Sequence, residues 1–193
     1  PEIFTAGNDL EDFMKRPPTQ GSDGAEPPVF QFLHAISHAS KPVVASVSGA
    51  AVGIGTTLLL HCDLVYASDT ARLSLPFAQL GLCPVGYQRA AEKLLLGEAF
   101  SAQEAFSIGL VTKVLPLAEL PDFVRQQAAK LAALPASSLR ETKRLMKGGD
   151  VAAVEKKMAE EGEVFRRMLV APEAKEAFTA FFEKRKPDFS KFD

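Results

Sequence analysis

Two short glycine-centred segments constrain this chain more than any other feature. The first is Phe4-Thr5-Ala6-Gly7-Asn8-Asp9-Leu10 and the second is Gly49-Ala50-Ala51-Val52-Gly53-Ile54-Gly55. Each follows a run that reads as a buried strand, Ile3-Phe4 before the first and Pro42 to Val47 before the second. Each then opens a turn where small residues admit close backbone approach. The second continues into Thr56-Thr57-Leu58-Leu59-Leu60-His61, an apolar stretch long enough for a buried helix. A helix start carries unpaired N–H groups and the positive end of the macrodipole. Two such turns facing each other would hold a carbonyl oxygen and stabilise negative charge developing on it. That is an oxyanion hole made of backbone.

Further along, Val29 to Ser37 has helical spacing and Lys41-Pro42 ends it. Strands are expected at 42–48, at Leu64-Val65-Tyr66-Ala67 and across the alternating Ala71 to Pro76, with another from Leu110 to Leu115. Gln88 to Leu96 reads as a helix stopped by Gly97, and Ser101-Ala-Gln-Glu104 as a capping box for a short helix closed by Gly109. Arg16 to Pro28, dense in proline and glycine, reads as a mobile loop beside the first motif. After Pro121 the pattern is helical, with starts at Ser137 or Ser138, Asp150 and Pro172. Strands alternating with helices and then helices alone argue an α/β fold with a helical C-terminal region. We divide it into a core, 1–135, and a helical, oligomerising region, 136–193.

A chain of 193 residues buries a core and suits one domain with a helical appendage. A formal net charge of -2 makes neither nucleic acid nor an anionic membrane an expected partner. No apolar stretch is long enough to span a bilayer and no secretory signal is visible. Cys62 and Cys83 form no disulfide framework and no zinc pattern, which suits a reducing compartment. Residue 1 is Pro and almost no strand precedes the first motif, so an N-terminal part is expected to be missing.

Several clusters invite sharper readings. The spacing G-x-x-x-G-x-G is not the dinucleotide fingerprint, and no Lys-Ser/Thr follows as in a phosphate loop. His61-Cys62-Asp63 consists of consecutive residues that point in different directions, which favours structural roles. His34 and His38 share a helix face but lack a third metal ligand nearby. Asp9, Glu11 and Asp12 suit a helix start. Cys83 has no base at hand. Arg166, Arg167, Lys184, Arg185 and Lys186 read as solvated helix charges.

FTAGNDL, then KPVVASVSGAAVGIG, then CDLVYASDTARLSLPFAQLGL and LLLGEAFSAQEAFSIGLVTKVLP together resemble the crotonase superfamily, the enoyl-CoA hydratases and isomerases. The Gly-Asn-Asp-Leu form of the first loop is most similar to the Δ3,Δ2-enoyl-CoA isomerase branch. The resemblance implies a spiral of ββα turns and an acyl-CoA thioester substrate, with no cofactor beyond the CoA that substrate carries. It implies oxyanion donors at the N–H groups of Asn8 and Ile54, and a substrate site formed by Ala6, Asp9, Leu10, Gly53, Gly55, Pro76, Phe77 and Leu80, with Leu82 a further apolar wall. It also implies a homotrimer or hexamer, Lys184 or Lys186 near the CoA phosphates, and the cytoplasm or, in a eukaryote, a reducing organelle such as the peroxisome.

The same resemblance exposes a gap. Hydratases of the family place glutamates where this chain has Thr57 and Phe77, which disfavours water addition. The isomerase branch places its glutamate after the proline of a Leu-Gly-x-x-Pro-Glu motif, and here the sequence is Leu80-Gly81-Leu82-Cys83-Pro84-Val85. About ten residues of helix, at 1.5 Å each, are also missing before Gly86. We expect a segment carrying that glutamate to have been omitted at about Pro84–Val85, in the 84–86 region. Taken literally, Val85 replaces the acid and leaves a non-catalytic acyl-CoA-binding protein.

Overall fold

The computed structural model describes residues 2–15, 27–80, 89–149 and 151–192. The segments around Pro84–Val85 and Cys83, most of the Arg16–Pro28 stretch and Asp150 lie outside the described residues.

The chain alternates between two sheets. Strands β1 (Ile3–Thr5), β3 (Ala50–Val52), β5 (Arg72–Ser74) and β6 (Phe100–Ser101) form one, in that order; β2 (Val44–Val47), β4 (Leu64–Ser68) and β7 (Lys113–Leu115) form the other. Among the described residues, all pairings are parallel except β5 with β6. β2 and β3 lie in different sheets although only Ser48 and Gly49 separate them, and β4 and β5 repeat that corner. Each ββ turn therefore deposits one strand per sheet, and the registers Ala45↔Val65 and Ala51↔Leu73 keep the turns in step. This is a spiral of ββα turns.

The core follows from burial on both faces of parallel strands, which favours continuous apolar runs. In β4 every residue after Leu64 is buried. β2 instead alternates, with Ala45 and Val47 inward. Val47, Ala51, Leu73, Phe100 and Ala105 meet in the main core between the sheets. The helices are α1 (Leu10–Lys15), α2 (Pro28–Ser37), α3 (Ile54–Thr57), α4 (Arg89–Leu96), α5 (Ala102–Ser107), α6 (Leu120–Ala132), α7 (Ala136–Lys147), α8 (Val151–Leu169) and α9 (Pro172–Phe182). Leu169 and Phe178 from the last two pack with Leu10, Phe13, Phe77 and Leu80, so the C-terminal helices cover the first motif.

Some expectations need correction. The Gly49–Gly55 segment is not one turn, because its middle pairs with strands on both sides and becomes β3. Ile3 is exposed rather than buried, because β1 has β3 as its one strand partner among the described residues and stands at that sheet's edge. The Thr56–His61 helix stops early: α3 has four residues and Leu58–His61 tightens into a 3-10 turn. The Leu110–Leu115 strand shortens to β7, since the Thr112 N–H already bonds the Val65 carbonyl and its hydroxyl accepts the Val65 N–H.

Candidate active site

The two glycine motifs lock into each other. A β-carbon on Gly7 would lie 2.9 Å from the Val52 carbonyl oxygen, and one on Gly55 2.2 Å from the Thr5 methyl. Glycine at both positions lets the loop after β1 and the loop after β3 touch, which sets Asn8 beside Ile54. Gly53 differs: at φ +56° it turns the chain out of β3, with nothing among the described residues within 4 Å of its missing side chain. That open face belongs to a cavity.

The cavity has a volume of about 300 Å³ and is lined by Ala6, Gly7, Asn8, Leu10, Val52, Gly53, Ile54, Pro76, Phe77 and Leu80, with Phe13, Gln79, Phe165 and Phe181. Eight of the residues named from sequence thus share one space: Ala6, Asn8, Leu10, Gly53, Ile54, Pro76, Phe77 and Leu80. Two do not line it. Asp9 caps α1, its carboxylate accepting the Glu11 N–H at 2.8 Å and its carbonyl the Phe13 N–H at 3.3 Å. Gly55 is spent on packing against Thr5.

Among the described residues, neither the Asn8 nor the Ile54 N–H has a hydrogen-bond acceptor, although the neighbouring groups do. Gly7 donates to the Thr5 hydroxyl, Gly53 to the Ser74 carbonyl, and Thr56 and Thr57 to the Gly53 carbonyl. Both residues border the cavity, and backbone N–H groups left without a partner there are available to a ligand oxygen. With four residues, α3 contributes little macrodipole. What the site offers is two individual N–H groups.

A second, smaller cavity of about 70 Å³ lies against the same pair. Asn8, Ile54, Phe77 and Phe165 border both, and Thr57, Val29, Phe30, Leu33 and His34 join from α3 and α2. From α8 come Met158, Gly162 and Glu161. Loss of solvation pushes the Glu161 carboxyl above the usual glutamate range. The motifs did not single out this residue. Its signal was a carboxylate interrupting the helical stripe Met158–Phe165, which places it on the apolar face.

Other candidates resolve into structural roles. Asp63 accepts the Val43 N–H and the Lys143 ammonium, both at 2.7 Å, while burial and the nearby Lys147 lower the His61 pKa. Burial raises the Cys62 thiol. His38 bonds Glu155 at 2.6 Å, and no group of three or more potential metal ligands occurs among the described residues. Arg166 lies over the Phe30 ring at 5.2 Å instead of standing in solvent, because the half-buried α8 face brings the two together. Arg185 pairs with Glu176 and Glu183.

The two-sheet spiral of ββα turns defines the class of fold, and similarity to known proteins identifies the family within it. The enoyl-CoA hydratase/isomerase family model matches residues 1–191. The chain is 31% identical over 198 residues to the 2,3-dehydroadipyl-CoA hydratase of Escherichia coli, covering 97% of this chain and 76% of that protein. It is 33% identical over 202 residues to enoyl-CoA delta isomerase 2 of Rattus norvegicus, covering 95% of this chain and 50% of that protein. The crystal structure of an enoyl-CoA hydratase/isomerase from Pseudoalteromonas atlantica superposes with a TM-score of 0.88 at 40% identity, over 98% of this chain and 78% of that one. The chain belongs to the enoyl-CoA hydratase/isomerase family and has the crotonase fold.

Proposed function

We propose that this protein binds an acyl-CoA thioester with its carbonyl oxygen between the N–H groups of Asn8 and Ile54, and shifts the double bond of a 3-enoyl-CoA to the 2-position. The observation that carries this reading is the pair of donors that border an apolar cavity and have no acceptor among the described residues. Removing a proton from C2 sends the C–H electron pair toward C1, and the resulting dienolate oxygen is negative where the two donors point. Protonation at C4 then leaves the double bond between C2 and C3. The apolar walls, Phe77 and Leu80 among them, keep water away from the dienolate and so oppose hydration. Thr57 and Phe77 supply no carboxylate for activating water, which weighs against a hydratase.

Val85 after Pro84 favours a second reading, acyl-CoA binding without turnover. Titration with hexanoyl-CoA and incubation with 3-hexenoyl-CoA separate the two. Binding with double-bond migration supports the isomerase, binding without migration or C2 deuterium exchange supports the second reading, and absence of binding removes both. Assembly through the C-terminal helices, where Leu145 and Met146 stand exposed, belongs to the same reading and is measured by light scattering.

A further inference from the structure

We propose that Glu161 is the proton-carrying carboxylate of this chain, removing the C2 proton of the bound 3-enoyl thioester and returning it at C4. The proposal rests on the thioester reading above and answers the question that Val85 raises there. Glu161 lies on α8, about 75 residues beyond Val85 in sequence, yet borders the same small cavity as Asn8 and Ile54. The proposal places C2–C4 of a thioester whose oxygen meets those two N–H groups toward α8, on the side of the cavity that Glu161 borders.

Three observations single out this carboxylate. Its surroundings are apolar: Phe30 and Leu33 from α2, Phe77, and Met158 and Phe165 from its own helix. No hydrogen bond or ion pair holds it among the described residues, whereas Glu104, Glu141, Glu160 and Glu176 are each engaged by a cation or a backbone N–H and Glu155 by the His38 ring; Glu98, Glu119 and Glu163, also unengaged there, stand exposed. Gly162 beside it leaves room, since the Phe30 ring would sit 3.1 Å from any β-carbon there. Desolvation raises its pKa, moving it toward the range where one group both accepts and donates a proton near neutrality. A structural carboxylate gains nothing from standing half-buried without a partner.

The step balances with no co-reactant. The carboxylate oxygen takes the C2 proton and the C2–H pair forms the C1–C2 π bond. The thioester π pair moves onto oxygen, between the two donors. On collapse, the C3=C4 pair takes the proton from the carboxylic acid at C4, C2=C3 forms, and Glu161 is again ionised. The titratable and charged groups near it are His34 from α2 and Arg166 one turn along α8, above Phe30; Thr57 contributes a hydroxyl.

The test compares the wild-type protein with E161Q and E161D, each checked for folding by circular dichroism. It reads hexanoyl-CoA affinity, isomerisation of 3-hexenoyl-CoA, C2 deuterium exchange and the pH profile of kcat/KM. The expected result is near wild-type affinity in E161Q with turnover and exchange lowered about 10²–10⁴-fold, as for loss of a general base. E161D, which keeps the carboxyl but shortens its reach, recovers part of the exchange. The wild-type profile rises with pH through a group above the ordinary glutamate range, and that limb is absent from E161Q. Retained turnover with an unchanged limb in folded E161Q overturns the proposal, as does a limb that vanishes in His34→Asn instead. Wild-type protein that binds hexanoyl-CoA but neither isomerises nor exchanges overturns it while leaving thioester binding intact. Wild-type protein that fails to bind hexanoyl-CoA removes the thioester reading and this role with it, and the binding isotherm alone identifies that case.

Discussion

Lys143 on α7 places its ammonium 2.7 Å from a carboxylate oxygen of Asp63, eighty residues earlier in the chain. The same ammonium donates to the Lys41 carbonyl at 2.7 Å, and Asp63 accepts the Val43 N–H. Lys143 is 7% exposed, so the charge is one the fold cannot leave unpaired. The contact ties the C-terminal helical region to the entry of β2 and β4 in the core.

Lys143→Met keeps the stem and removes the charge. It strands the Asp63 carboxylate with the Val43 N–H and Lys147, 3.7 Å away. The expected cost is roughly 2–3 kcal/mol, in line with losing a partly buried charged hydrogen-bond network. Urea denaturation measures it. An unchanged midpoint would mean that α7 docks without this pair.

Gly55→Ala tests the interlock of the two motifs. The new methyl meets Thr5, whose own methyl would lie 2.2 Å away and whose carbonyl oxygen 3.1 Å away. Thr5 is short and β-branched and has little room to yield, so the loops must part. Overpacking of this kind costs about 1–3 kcal/mol. The expected signature is a lowered thermal midpoint together with weakened acyl-CoA affinity, because separating the loops separates Asn8 from Ile54. Loss of stability with full affinity would show that the donor spacing survives without the interlock.

Elements governed by neighbouring residues were legible from sequence. The Ser101–Glu104 capping box is present with both reciprocal bonds, the Pro172 start is the first residue of α9, and Gly97 follows α4 directly. The first motif was legible because its small residues are themselves local, and the walls at Pro76, Phe77 and Leu80 through the family resemblance of the motifs around them. β3 and β6 were not, since strands of three and two residues exist through the partners they find rather than through their own propensity. The Lys143–Asp63 pair was hidden by its separation of eighty residues. Glu161 was overlooked for another reason: a glutamate in a helix usually faces solvent, so its place on the stripe of Met158 and Phe165 gains meaning only once α8 lies beside α2 and Asn8.

His38 and Glu155 join α2 to α8, the two helices that flank the smaller cavity. The His34 carbonyl and then the Glu155 carboxylate raise the His38 pKa above its ordinary value. A group whose pKa is raised by folding contributes stability that is fully present below its unfolded value, about 6.5, and is lost as pH rises through the folded one. Denaturation midpoints of the wild-type protein and Glu155→Gln, followed through and above that window, should therefore converge as pH rises. A gap between them that is constant with pH would remove His38 as its source.

Asn8→Pro removes one of the two proposed donors without removing any side chain that the cavity needs for shape beyond the asparagine itself. If the thioester oxygen sits between the Asn8 and Ile54 N–H groups, turnover of 3-hexenoyl-CoA falls about 10²–10³-fold, the usual consequence of losing an oxyanion donor. The loss falls on kcat more than on KM, because the hydrogen bond strengthens as the oxygen becomes negative. Asn8→Ala retains the N–H and should be much milder, which separates the backbone donor from the side chain. Proline there breaks no hydrogen bond of the described fold, since the Asn8 N–H has no acceptor among the described residues, and circular dichroism checks that the variant folds. A folded Asn8→Pro variant with full activity would place the thioester oxygen elsewhere in the cavity.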